Sequence, residues 1–184
     1  MTLADQPTKD EIRAAVGKTV PDLIAPELQV LFCGINPSLY SAAVGHHFAR
    51  PGNRFWKTLH GAGFTERPLS PFEDRDLVHL GYGLTNIVER ATARADELDD
   101  HELVVGQQQL AAKLQHLRPR FLAVLGIGAY RTGFRQPKAV MGRQGDTFHG
   151  AILWVLPNPS GLNAHYQLED LKRAYRELLI AVQT

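Results

Sequence analysis

Three short apolar runs dominate the pattern of hydrophobic and polar positions along the chain. Leu28-Gln29-Val30-Leu31-Phe32-Cys33 stops at Gly34, Arg120-Phe121-Leu122-Ala123-Val124-Leu125 stops at Gly126, and Ala151-Ile152-Leu153-Trp154-Val155-Leu156 stops at Pro157. Runs of this length, closed by Gly or Pro, predict strands buried on both faces. Gly83-Leu84-Thr85-Asn86-Ile87-Val88 predicts a further short strand. Helical signals lie between them. Thr8 and Glu11 form a capping box that opens a helix through about Val16. Arg54 to Ala62 puts Phe55, Leu59 and Ala62 on one face. Ser70-Pro71-Phe72-Glu73 combines a capping box with Pro at the first helical position and predicts a helix to about Leu80. Helices are also expected over 100–117 and 128–134. From Leu168 to Val182 the residues Leu168, Leu171, Ala174, Tyr175, Leu178 and Leu179 form an apolar stripe. Gly34 to Asn53 has no period and reads as a long loop with room for one helical turn, and such loops are usually functional.

Alternating strands and helices predict an α/β fold, a parallel sheet with helices on both faces joined by right-handed crossovers. Ligands in such sheets bind beyond the carboxyl ends of the strands. The segments leaving those ends begin at Gly34, at Asn86 and at Pro157, and chemistry is expected there. The 184 residues, 44% hydrophobic and 21% charged, suit one domain, with 1–25 as an N-terminal helix and lead-in. No apolar run is long enough to span a bilayer and no signal-like segment opens the chain. The single Cys33 excludes an internal disulfide, fits a reducing cytoplasm, and is expected to be a buried thiol. Net charge is +1, but no acidic residue lies between Glu102 and Asp146, an interval that holds Lys113, Arg118, Arg120, Arg131, Arg135, Lys138 and Arg143. One basic face for a polyanion is the expectation, with scattered solvated charge as the alternative.

Asn36 precedes Pro37, which biases its backbone to an extended conformation and turns its side chain away from a helical continuation. A simple Asn-Pro turn would look the same in isolation. The neighbouring Gly45-His46-His47-Phe48 and Arg50-Pro51-Gly52-Asn53-Arg54-Phe55-Trp56 make a poor connector and a good wall for a flat heterocycle. His46 and His47 are adjacent on a loop with no spaced third ligand nearby, so a zinc site is not expected. Phe55 and Trp56 read as core. In Leu156-Pro157-Asn158-Pro159-Ser160-Gly161-Leu162-Asn163 two prolines stiffen the entry, and an exposed Leu162 could unstack base pairs as an apolar wedge.

Five ordered segments, at 34–39, 45–48, 51–57, 85–90 and 156–162, resemble the mismatch-specific uracil/thymine-DNA glycosylases. The resemblance runs from about Val30 to Leu179. It implies a three-layer α/β/α sandwich with a central, mostly parallel sheet. It implies that Asn36 holds the attacking water and that Phe48 stacks on an everted base. Gly34, Ile35, Pro37, Ser41, His47 and Asn86 would line the base pocket, with Thr92 close by. Asn158, Pro159, Ser160, Gly161, Leu162 and Asn163 would enter the DNA and fill the gap left by the base. The implied partner is double-stranded DNA with G:U or related mismatches, bound by a monomer that needs no metal or cofactor. The chain departs from the family pattern at Ser41, where thymine-excising animal members carry alanine, and at Ala164, where bacterial members carry arginine; His165 follows. Asp96 is expected to place negative charge at a helix start capped by Asp99 or Asp100, or else to serve as a second catalytic carboxylate.

An amide cannot ionise water near neutral pH, so the departing uracil anion must carry much of the reaction. Uracils that leave easily, or ethenocytosine, are expected substrates. Two other classes stay open on the sequence. Gly126-Ile127-Gly128 with Gly133 and Asp146 is an imperfect dinucleotide fingerprint, its third-glycine gap being five rather than three. A damage-binding protein without catalysis would use the same residues.

Overall fold

The computed structural model describes residues 6–184; the first five residues of the expected lead-in lie outside them. Five strands form one sheet: β1 (Val30–Gly34), β2 (Tyr82–Asn86), β3 (Phe121–Leu125), β4 (Gly142–Phe148) and β5 (Ala151–Leu156), in the order β2-β1-β3-β5-β4. The first four positions in that order are parallel, and β4 runs antiparallel along β5 at the edge. The sheet is therefore mostly parallel, as expected. β4 itself has no apolar alternation to announce it. None of its residues is fully buried, as befits an edge strand facing solvent. The hairpin joining it to β5 turns at His149 and Gly150, both at positive φ (48° and 87°), the geometry that matches strand twist in a tight turn.

Successive side chains alternate across the sheet and build two cores. Val30, Phe32, Leu84, Phe121, Ala123, Trp154 and Leu156 pack on one face with α3 (Phe55–Ala62) and α7 (Leu168–Gln183). Leu31, Cys33, Leu122, Val124, Leu153 and Val155 pack on the other with α5 (Asp100–Leu117) and α6 (Ile127–Gly133). Two helical layers around one sheet make the three-layer α/β/α sandwich. Cys33 is fully buried, and burial pushes its thiol pKa up, which keeps it an inert structural group.

Several elements differ from the sequence expectation in extent. α1 (Lys9–Arg13) has the capping box on Thr8 but ends three residues early. The loop after β1 contains α2 (Leu39–Val44), closed by Gly45 in the left-handed conformation. The helix expected from Ser70 to Leu80 is broken: Pro71–Glu73 is a 3₁₀ turn, and α4 spans only Asp76–His79. Here the capping box satisfies the first turn, but no apolar stripe continues to draw a longer helix onto the core, since Leu77 is the one buried residue of α4.

Candidate active site

The parallel register sets Gly34 of β1 beside Asn86 of β2 at the carboxyl ends of the strands. The two chains then continue side by side past the sheet. Ile87 N donates to Gly34 O (2.9 Å), Val88 N to Ile35 O (2.9 Å), and Thr92 N to Pro37 O (3.2 Å). Asn36 is thereby held opposite the segment after β2. Its Nδ2 donates to the Arg90 carbonyl (3.0 Å) and to Thr92 Oγ1 (2.7 Å), and Thr92 Oγ1 in turn donates to Arg94 O (2.7 Å). A carbonyl can only accept, so the orientation of the amide is fixed. Both amide hydrogens are used, and Oδ1 accepts from no group among the described residues. The Arg90 side chain anchors this segment by forking onto Glu102 at the start of α5 (Nη2 to Oε2, 2.8 Å). The hydrogen bond from Arg90 holds the Glu102 carboxyl down at about 2.

Asn36, Phe48 and Asn86 line one cavity of about 100 Å³ at this end of the sheet. Gly34, Ile35, Pro37, Ser41, His47 and Thr92 also line it, as do Asn158, Ser160 and Leu162 from the loop after β5. The chain returns to the cavity through α2. Ser38 caps that helix, its Oγ accepting from Ser41 N (3.2 Å), and Ser41 Oγ accepts from Ala49 N (3.0 Å). Ser41 is thus both a wall and the tie that folds the loop back. Phe48 sits at φ 53°, a backbone region that non-glycine residues rarely occupy. Its ring stacks on Phe55 at 4.1 Å between centroids, with 24° between planes.

The two adjacent histidines point to different partners. His46 Nδ1 meets the buried Asp74 carboxylate at 3.0 Å. His47 Nε2 lies 2.9 Å from the Pro21 carbonyl and must carry the proton there. Burial pushes the His47 pKa down, so its ring is neutral. Among the described residues no cluster of three His, Cys, Asp or Glu side chains has a metal-holding arrangement. The Asn86 amide is 6% exposed, and its side chain makes no hydrogen bond among the described residues, so its polar atoms are unspent at the cavity wall. Gly34 leaves it that room: a Cβ there would lie 2.6 Å from Asn86 Oδ1 and 3.3 Å from the Phe48 ring.

The loop after β5 is held by a residue to which the sequence reading gave no role. Arg54 Nη2 donates to Ser160 O (2.6 Å) and Asn163 O (3.0 Å), Nη1 donates to Tyr166 O, and Arg54 N donates to Pro159 O (3.0 Å). Inside the loop, Ser160 N donates to Asn158 Oδ1 (2.9 Å) and Asn163 Nδ2 to Asn158 O (2.9 Å). Gly161 packs against the Gly52 backbone, where a Cβ would come within 2.7 Å of the Gly52 carbonyl. Leu162 is left 63% exposed at the tip beside the cavity. Pro159, Gly161 and Asn163 frame the loop rather than line the cavity. Ala164 and His165 are both exposed.

In two places the sequence leaves alternatives open, and the structure favours one of each. Asp96 does not line the cavity. It lies in the 3₁₀ turn Ala95–Glu97, is 67% exposed, and pairs with Arg94 Nε at 3.0 Å, while Asp99 caps α5 by accepting from Glu102 N (2.8 Å). Asp96 therefore carries charge ahead of the α5 start, as the first reading of it expects, and is not part of the cavity wall. The basic interval is not one face either. Arg118 and Arg120 flank the start of β3, at the end of the sheet opposite the cavity, and Arg120 is tied to Val182 O (2.7 Å). Gly126, the first glycine of the imperfect dinucleotide pattern, packs on Ile35 and Asn158 of the cavity wall. Asp146 sits out on the edge strand β4.

The fold and the sequence both have relatives. A solution NMR structure of a candidate uracil DNA glycosylase from Methanosarcina acetivorans matches at a TM-score of 0.60 and 19% identity, covering 89% of this chain and 99% of that one, which is a likeness of fold. The model of the uracil DNA glycosylase superfamily matches residues 21–180. That span contains both walls of the cavity, the Asn36 amide and the loop held by Arg54. The chain belongs to the uracil DNA glycosylase superfamily.

Proposed function

We propose that the chain is a monofunctional DNA glycosylase that everts uracil from mismatched duplex DNA and hydrolyses its bond to deoxyribose. The observation that carries this is the Asn36 carboxamide, with both hydrogens consumed by Arg90 O and Thr92 Oγ1, in one cavity with the Phe48 ring and the unspent Asn86 amide. Oδ1 of Asn36 can then only accept, and a water donating to it turns a lone pair toward the sugar. Water oxygen bonds to C1′, the C1′–N1 bond breaks, and its electron pair leaves on the uracil ring. The water proton is lost to solvent, since an amide does not hold it. Backbone N–H groups of the loop stabilise the departing anion, by the logic of an oxyanion hole.

Recognition follows from the other walls. One face of Phe48 rests on Phe55, which leaves the opposite face for a pyrimidine. Asn86 offers a donor and an acceptor side by side, the complement of the uracil N3–H and O4 edge. Leu162, exposed on a loop braced from behind, fills the space of the everted base. Eversion costs a few kcal/mol and least at a mismatch, so selectivity for G:U pairs is a consequence of the pairing energy as well as of contacts. 5-Substituted uracils and ethenocytosine, which leave more readily, belong to the same substrate class.

The test is single-turnover base release from duplexes with uracil opposite guanine, read as strand breaks after alkali. Asn36→Ala is expected to lower the rate by at least about 10²-fold while duplex binding persists. An unchanged rate would remove Asn36 from the reaction, and binding without release by the unaltered protein would make it a damage binder.

A further inference from the structure

A second groove, of about 370 Å³, adjoins the cavity and shares Ser38, Arg50 and Ala93 with it. Ile12 of α1, Leu39 and Tyr40 of α2, and Pro51 complete its walls. Among the described residues its lining carries no carboxylate, and neither does that of the cavity. The cations around these openings differ in what they are doing. Arg54 is spent on loop carbonyls, Arg90 on Glu102, and Arg94 on Asp96. Arg50 is exposed at the boundary between groove and cavity, and its guanidinium has no hydrogen-bond or ion-pair partner among the described residues. A fork of N–H donors facing an acid-free opening is matched to a phosphate. Apolar walls with one aromatic ring suit a deoxyribose and the face of a base.

An everted nucleotide stays tied to its strand through two phosphodiesters, so a neighbouring nucleotide must leave the cavity mouth along the protein surface. We infer that this groove is the subsite for that neighbour: Arg50 binds the phosphate linking it to the everted uracil, and Tyr40, Leu39 and Ile12 receive its sugar and base. The inference rests on the glycosylase reading for its ligand. It makes Arg50 a binding residue that acts on the substrate strand whatever the sequence beside the lesion, because the contact is to the backbone.

The experiment scans a uracil-containing duplex with single neutral methylphosphonate linkages at successive positions on both sides of the uracil. Binding is read by fluorescence anisotropy and base release is scored in the same samples. The unaltered protein is expected to lose about tenfold in affinity at one linkage adjoining the uracil. Arg50→Gln is expected to bind unmodified duplex about tenfold more weakly and to lose nothing further at that linkage. Tyr40→Ala is expected to weaken binding several-fold while keeping the response to that linkage. Equal responses of Arg50→Gln and the unaltered protein at every linkage would overturn the subsite, as would coupling only at linkages remote from the uracil. Failure of the unaltered protein to release uracil from any duplex would count against the glycosylase reading instead, and the phosphate coupling would still be read from binding.

Discussion

Gly34 closes β1, and its missing side chain is what lets Asn86 and Phe48 share a cavity wall with Asn36. A methyl group at this position would lie 2.6 Å from Asn86 Oδ1, the far end of a side chain that has no partner to lose. The side chain can move aside, so Gly34→Ala should fold, at a stability cost of about 1 kcal/mol. The displaced amide would no longer meet the base edge, and uracil release is expected to fall at least about tenfold. Thermal unfolding and single-turnover release on the same preparation check both halves. Asn36, Phe48 and Asn86 are legible in the sequence because each follows a strand end and sits in a segment too irregular to be a connector. Arg54 and Arg90 are not, because they act on main-chain oxygens or on residues that sequence distance hides: Arg54 reaches carbonyls more than a hundred positions away. Asp96 shows the converse. A carboxylate near a site in sequence was turned to solvent by an arginine two residues before it.

At the scale of elements, the loop from Pro157 to Tyr166 is braced from outside by one guanidinium. Arg54 leads into α3, whose apolar face is buried in the core, so the anchor stands on a rigid base. Arg54→Ala would release Ser160, Asn163 and Tyr166 carbonyls together and leave Leu162 on an unbraced loop. A wedge matters only when a stack must be opened. Base release from duplex is therefore expected to fall at least tenfold more than release from single-stranded DNA, with parallel assays of the two substrates as the check. A uniform loss on both would mean that Arg54 serves the fold alone. The four strands that carry the site were readable from their apolar runs, to within two residues at their ends. β4 was not, because an edge strand exposed to solvent needs no apolar face, and its only mark was the His149-Gly150 turn. The break between Pro71–Glu73 and α4 escaped for a related reason: a capping signal starts a helix but does not say how far packing will extend it.

Across the whole molecule, function is gathered at one end of the sheet. Three chain segments leave the carboxyl ends of β1, β2 and β5 and meet there, as the strand order requires of a parallel sheet. The opposite end carries Arg118 and Arg120, and Arg118 pairs loosely with Glu27 at 3.5 Å between exposed side chains. Arg118→Gln is thus expected to leave duplex affinity unchanged, within about twofold, and to leave the salt dependence of binding unaltered; anisotropy titrations at several salt concentrations measure both. The alternation of strands and helices made this layered architecture and its working end predictable. The distribution of charge over it was not, because members of one basic interval part company in the fold: Arg120 precedes β3, whereas Arg143 lies on the edge strand β4.

Arg54 grips the loop only by its main-chain oxygens. The side chains at Leu162 and Ala164 can therefore be exchanged without disturbing the anchor, provided Gly161 keeps its place against Gly52. Such a scaffold separates the holding of a reader from the identity of what it reads. On the glycosylase reading, preference for the base across from the lesion would be open to change by drift or engineering in a few codons, with the Asn36 amide left in place.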